Sequence, residues 1–227
     1  MSDAASILVL SACTATKVPE GSDRPICAEE LYAGQQHRRL MRGLHAYRAA
    51  GEPAGTLELH IVSAAHGVVA GSEPLRSYNA SFTGMRQQQL KRRAARLGIP
   101  TAVAELLRVR RRLAILLLGD NYLRAAELSS ALELRAPTLV LTSARGAARL
   151  PAAPALHSIP LGNGDARRFS CGLVALKGEL TARLLMRLAL NPNTSIPLDH
   201  AKFLAWLGTE PEWHHVRSLD QDLADVA

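Results

Sequence analysis

The amino-acid sequence predicts an α/β fold: one domain over residues 1–227 with a central mixed sheet flanked by helices. Three observations carry this. Two short apolar runs, Ile7 to Leu10 and Leu113 to Leu118, stop abruptly at polar residues, as strands buried on both faces do. Longer segments lie between and after them at helical spacing, clearest where Leu173, Leu176, Leu180, Leu184 and Leu188 recur every three or four residues. Finally, 227 residues suffice to bury a core without covalent staples. The three cysteines (Cys13, Cys27, Cys171) are too few and too scattered for a disulfide framework or a CxxC metal site.

The elements follow in order. Ile7 to Leu10 opens the sheet, and its exit carries Ser11, Cys13, Thr14, Thr16 and Lys17. Val18 to Ile26 is loop. Ala28 to Ala50 reads as one helix or two short ones, ended by Gly51, Pro53 and Gly55. Leu57 to Val62 is a second buried strand, leading to Ser63, His66 and Gly67. Ala70 to Tyr78 is loop and delivers Tyr78 and Asn79 near the strand ends. Met85 to Leu97 and Thr101 to Val109 are helices. Leu113 to Leu118 is the clearest strand, followed by Gly119, by Asp120 or Asn121 as helix cap, and by a helix from Tyr122 to Leu134. Thr138 to Thr142 is a fourth strand ending at Ser143, Arg145 and Gly146. Pro151 to Pro160 is proline-rich and reads as irregular, and Gly162 to Gly164 is a turn before Arg167 and Arg168. Leu173 to Leu190 and Ala201 to Leu207 are helices, and residues 208–227 form a polar tail.

No apolar run approaches the roughly 20 residues a membrane helix needs, and MSDAAS lacks the basic segment and long apolar core of a secretion signal. The expectation is therefore a cytoplasmic protein with no membrane partner. The formal charge of +7 favours polyanions. Between Ser81 and Arg112 stand nine cations (Arg86, Lys91, Arg92, Arg93, Arg96, Arg108, Arg110, Arg111 and Arg112) against the single anion Glu105. On neighbouring helices they would form a track for a nucleic-acid backbone; the ordinary alternative is a solvated helical face. The expected partner is nucleic acid, DNA ahead of RNA, or a nucleotide, and the sequence says nothing of oligomeric state.

In open α/β sheets, ligands collect at the carboxyl ends of the strands. Cys13, four residues before Lys17, could hold a thiolate stabilised by the ammonium and nearby amides; its ordinary reading is a small buried hydrophobe. His66, after a strand and before a glycine, suits a general acid or base, although a lone histidine is more often structural. Asp120 competes with helix capping. These four are the catalytic candidates. Ser11, Thr14, Tyr32, Ser63, Gly67, Tyr78, Asn121, Tyr122, Arg168 and Lys177 are the substrate-binding candidates. No metal or cofactor is expected: adjacent His214 and His215 point apart, and GNGD lacks the glycine spacing of a dinucleotide loop.

Four segments in order, ILVLSACTATK, HIVSAAHGVVAGSEPLRSYNASFTGM, LLLGDNYLRAAEL and RRFSCGLVALKGELTARLLMRLALN, resemble the landmarks of the YaaA-like family across about residues 7 to 190. The sequence departs from the family's SPAK exit, here SACTATK, and from its KKARG helix, here KGELTAR. The resemblance implies an α/β fold whose strand exits meet in one cleft. It singles out Ser11, Cys13, Lys17, Tyr32, Ser63, His66, Gly67, Tyr78, Asn121, Tyr122 and Lys177. It further implies a base-modifying enzyme acting on nucleic acid or a nucleotide, such as one converting the nitrile of a 7-cyano-7-deazaguanine base to an amide. N-glycosidic cleavage with Asp120 at the oxocarbenium centre, and a non-catalytic DNA-binding stress protein, are the alternatives.

Overall fold

Ile7, Leu8, Val9 and Leu10 have no exposed surface, so their strand lies mid-sheet and covered on both faces, as an unbroken apolar run requires. The computed structural model describes residues 6–17 and 24–209. Its strands are β1 (Ser6–Ala12), β2 (Ile26–Cys27), β3 (Thr56–Ser63), β4 (Gly67–Ala70), β5 (Pro74–Leu75), β6 (Leu113–Leu117), β7 (Thr138–Ser143) and β8 (Leu156–Leu161). Its helices are α1 (Ala28–Leu31), α2 (Gln35–Ala49), α3 (Gln87–Arg96), α4 (Ile99–Arg108), α5 (Asp120–Ala126), α6 (Ala144–Ala147), α7 (Asn163–Arg168), α8 (Leu173–Leu190) and α9 (His200–Gly208).

Six strands form one sheet in the order β4-β3-β1-β6-β7-β8. β4 runs antiparallel to β3, and all other neighbours are parallel. The fold is therefore the expected single α/β domain with a mixed sheet. The crossover from β1 to β3 and that from β6 to β7 step in opposite directions along the sheet. Right-handed connections then put α2 and α5 on opposite faces. α8 joins α2 on its face, while α3 and α4 pack with α5. Order reverses between β1 and β6, which makes the gap at their carboxyl ends the switch point where such sheets bind ligands.

Four local readings are corrected. The stretch 151–160 is not wholly irregular: its second half enters β8, which among the described residues pairs only with β7. Pro160 is tolerated because this is an edge strand. Residues 67–70, just beyond the second strand, form β4. α5 stops at Ala126 and not Leu134, because Glu127 turns left-handed at φ 48°. Gly119, and neither Asp120 nor Asn121, occupies the cap position of that helix. His214, His215 and residues 210–227 of the polar tail lie outside the described residues.

α2 and α8 approach so closely that only glycine fits at two contacts. A Cβ on Gly43 would lie 2.2 Å from Ala182 Cα, and one on Gly178 would lie 2.0 Å from the Gln36 carbonyl oxygen. Beside this seam the buried Glu179 carboxylate accepts from Arg39 at 2.8 Å, Arg42 at 2.9 Å and Arg183 at 2.9 Å. Burial alone would push its carboxyl up, but the three guanidiniums outweigh it and hold it below the ordinary range. A depressed folded value means that the stabilisation is present above the unfolded value, about pH 4, and is lost as pH falls through the folded one. Glu179→Gln should therefore lower Tm at pH 7, and the gap to the parent should shrink as the melts are repeated down to about pH 3.

Candidate functional site at the carboxyl edge of the sheet

The ladder between β1 and β3 continues one residue past the strand, where Cys13 N donates to Val62 O at 3.0 Å. This fixes Cys13 at the switch point. The thiol is only 8% exposed, but it is not sealed among apolar groups: its Sγ lies 2.9 Å from Tyr122 Oη. Tyr122 belongs to the first turns of α5 and stands edge-on to Phe82, 5.2 Å between ring centroids. Asn121 Nδ2 donates to the Phe82 carbonyl at 3.3 Å and ties the segment entering α3 to the exit of β6.

After Cys13 the chain turns through Thr14, whose hydroxyl donates to Thr16 O at 2.7 Å and accepts from Gly34 N at 3.2 Å. Lys17 then pairs with Tyr32 as an antiparallel bridge. Its ammonium stands 4.2 Å from the Tyr78 ring centroid and 6.0 Å from that of Tyr32, within range of a cation–π attraction. His66, exposed, meets the Tyr78 ring edge-on at 4.9 Å. Gly67 serves the backbone: it turns at φ 81°, and a Cβ there would sit 2.5 Å from Leu97 O.

Three hydroxyls form a directed relay. Ser63 Oγ accepts from Ala65 N at 3.1 Å and His66 N at 3.0 Å, which fills its lone pairs and leaves its hydrogen for Tyr78 at 2.7 Å. Tyr78 then donates to Tyr32 at 2.8 Å. The Tyr32 hydrogen, last in line, has no acceptor among the described residues. Burial pushes Tyr32 up to about 12 and raises Tyr78 and Tyr122 as well, with the Cys13 charge adding in the same direction for all three. The phenols therefore stay protonated donors across the physiological range.

Gln36 was not expected from the sequence. Its Nε2 donates at 3.3 Å both to Ser11 Oγ and to Leu117 O, joining β1 to β6 beneath the site. On its other side lies a pocket of about 270 Å³ between the ends of β6 and β7 and the start of α8, reached by Asp120 and Lys177. Asp120 Oδ1 accepts from Ser143 Oγ at 2.7 Å, and Ser143 Oγ accepts from Gly146 N at 2.9 Å. The structure thus brings Ser11, Cys13, Thr14, Lys17, Tyr32, Ser63, His66, Tyr78, Asn121 and Tyr122 to the exits of β1, β3 and β6, with Asp120 and Lys177 next door. Arg168 is elsewhere, with its guanidinium over Phe169 and against Gly208 of α9.

The nine-cation track is corrected too. α3 crosses the exits, since Phe82 before it meets Tyr122, Arg93 Nε donates to Ala64 O at 2.9 Å, and Leu97 lies against Gly67. Arg86, Arg92 and Arg96 are exposed along it, while Lys91 is paired with Glu127 at 3.2 Å. α4 then leads away to the opposite edge. Arg108 and Arg110 are exposed there, but Arg111 is buried, bonded to Leu106 O at 2.6 Å and ion-paired with Glu58 at 2.7 Å. Arg112 reaches Ala54 O and Thr194 O. A guanidinium taken out of water must find such partners, so Arg111 is unavailable to a phosphate.

Among the described residues no group of three or more His, Cys, Asp or Glu side chains is placed to hold a metal, and no helix is long and apolar enough to cross a membrane. No family model, curated protein or solved structure matches the chain.

Proposed function

We propose that this chain is a YaaA-like base-modifying enzyme acting on nucleic acid or a nucleotide, and that it hydrates the nitrile of a 7-cyano-7-deazaguanine base to the amide. The observation that carries the reading is the position of Cys13: a thiol at the switch point, hydrogen-bonded to one tyrosine and close to two more. The Cys13 sulfur adds to the nitrile carbon, and the thiol's proton ends on the nitrile nitrogen to give a thioimidate. Tyr32, with its hydrogen free, donates to that nitrogen, and the Lys17 ammonium stabilises the charge developing on it. Water assisted by His66 then adds to the same carbon. Collapse breaks the carbon–sulfur bond, returns the proton to sulfur and releases the amide. Mass spectrometry of an oligonucleotide carrying the nitrile base tests this: the expected product is one water heavier. A released free base would point instead to glycosidic cleavage through Asp120.

The cations along α3 would hold the phosphates of such a substrate. Arg92→Ala and Arg96→Ala should each weaken DNA binding and flatten the plot of log affinity against log salt by about 1. Arg110→Ala, at the far edge, should do neither. Equal losses from all three variants in a salt titration would contradict this placement.

A further inference from the structure

The pocket beside Gln36 has a chemistry that the nitrile reaction does not use. Leu161, Leu173 and Val174 make much of its wall, and Lys177 and Asp120 lie within it. The lysine nitrogen stands 3.9 Å from the point where a Cβ on Gly119 would be, so the absence of a side chain at Gly119 leaves the approach open. Among the described residues Lys177 Nζ makes no hydrogen bond and no salt bridge. Thr142 Oγ1, which also lines the pocket, is buried and has no hydrogen-bond partner among the described residues. An amine without a hydrogen-bond partner, an apolar wall and a carboxylate nearby form a set that a bound molecule would complete.

We propose that Lys177 captures a small aldehyde or ketone in this pocket as an imine. The lysine nitrogen bonds to the carbonyl carbon, and the carbonyl oxygen becomes the hydroxyl of a carbinolamine. Asp120 takes one proton from the nitrogen and passes it to the oxygen to make that hydroxyl, then takes the second nitrogen proton and delivers it to the hydroxyl, which leaves as water. Amine plus carbonyl gives imine plus water, with no oxidant or reductant required. Ser143 holds the Asp120 carboxylate in place. The two charged groups offset one another, so the pocket suits a neutral carbonyl compound better than a phosphate. Burial pushes the Lys177 ammonium down to about 8, against the pull of Asp120, which supplies free amine near neutral pH. Desolvated lysines are activated in this way.

The chain has only four lysines, Lys17, Lys91, Lys177 and Lys202, so each is an internal control for the others. The full-length protein is incubated at pH 7 with limiting glycolaldehyde and cyanoborohydride, and the reduced adducts are located by peptide mass spectrometry. Lys177 should carry at least ~10-fold more adduct than exposed Lys91 or Lys202, because its amine is desolvated in the pocket while theirs stand in water. Its labelling should be half-maximal near pH 8. Equal labelling of the three, or a Lys177 profile that rises only near pH 10, would overturn the proposal, and neither result depends on a variant's folding. Asp120→Asn separates the two roles of the carboxylate. Loss of its charge alone would leave more free amine and speed labelling, whereas loss of the proton carrier should slow it by ~100-fold. Faster labelling would remove Asp120 from the chemistry.

Discussion

Cys13→Ala should lose at least ~10³-fold in turnover of a 7-cyano-7-deazaguanine oligonucleotide, on the scale seen when a covalent nucleophile is deleted. The substitution removes one sulfur from a site that is nearly closed, and with it the partner of Tyr122 Oη at 2.9 Å. Stability should change far less, by about 1 kcal/mol for the hydroxyl left without a partner. Cys13→Ser separates the two effects. The serine hydroxyl can take over the bond to Tyr122 and recover stability, but it is a much weaker nucleophile and should not recover turnover. A Cys13→Ala enzyme with turnover near that of the parent would end the covalent mechanism, whatever its melting temperature.

Gly178→Ala should be the most disruptive glycine-to-alanine change among the described residues. The added Cβ would meet the Gln36 carbonyl oxygen at 2.0 Å, its carbon at 2.9 Å and Leu40 N at 3.1 Å, all main-chain atoms of the facing helix. No rotamer relieves such a contact, so α2 and α8 must separate. A cost of about 3 kcal/mol is expected, and a fall in Tm of roughly 6–12 °C for a chain of this size. Gly164→Ala is the matched control: nothing lies within 4 Å of its Cβ position, and it sits in helix α7. The same methyl there should be neutral or stabilising by up to ~1 kcal/mol. Equal melting temperatures for the two variants would mean that the helices have room to part. The damage should also reach the site, because the residue struck is Gln36, whose side chain spans Ser11 and Leu117.

Much of this arrangement is legible in the sequence, for a physical reason. A strand buried on both faces must be apolar throughout, and polarity can return only where the chain leaves the sheet. Ser11 to Lys17, Ser63 to Gly67 and Asp120 to Tyr122 therefore announce themselves as exits, and parallel pairing brings them to one edge. Other features left weaker traces. β4 is four residues long and follows a glycine turn, too short to show alternation. β8 contains Pro160, which reads as a breaker until the strand is known to lie at an edge. The helix expected to run to Leu134 stops at Ala126, where Glu127 turns left-handed with no glycine to announce it. Nothing in GQQH separates exposed Gln35 from Gln36, which is buried at the switch point. The nine cations looked contiguous because they are neighbours along the chain. Ten residues of α4 span ~15 Å, enough to carry four of them to the other edge.

The central place of β1 also has a consequence during synthesis. Ile7 pairs with Leu57 on one side and with Leu113 on the other, so β1 leaves the ribosome before both of its neighbours and waits for the second until β6 is made. At roughly 5–20 residues per second, the ILVL run stays without its second neighbour for about 5–20 s. A nascent chain of this kind offers chaperones a sticky, unpaired segment until β6 emerges, and truncated products ending before residue 113 should collect in inclusion bodies.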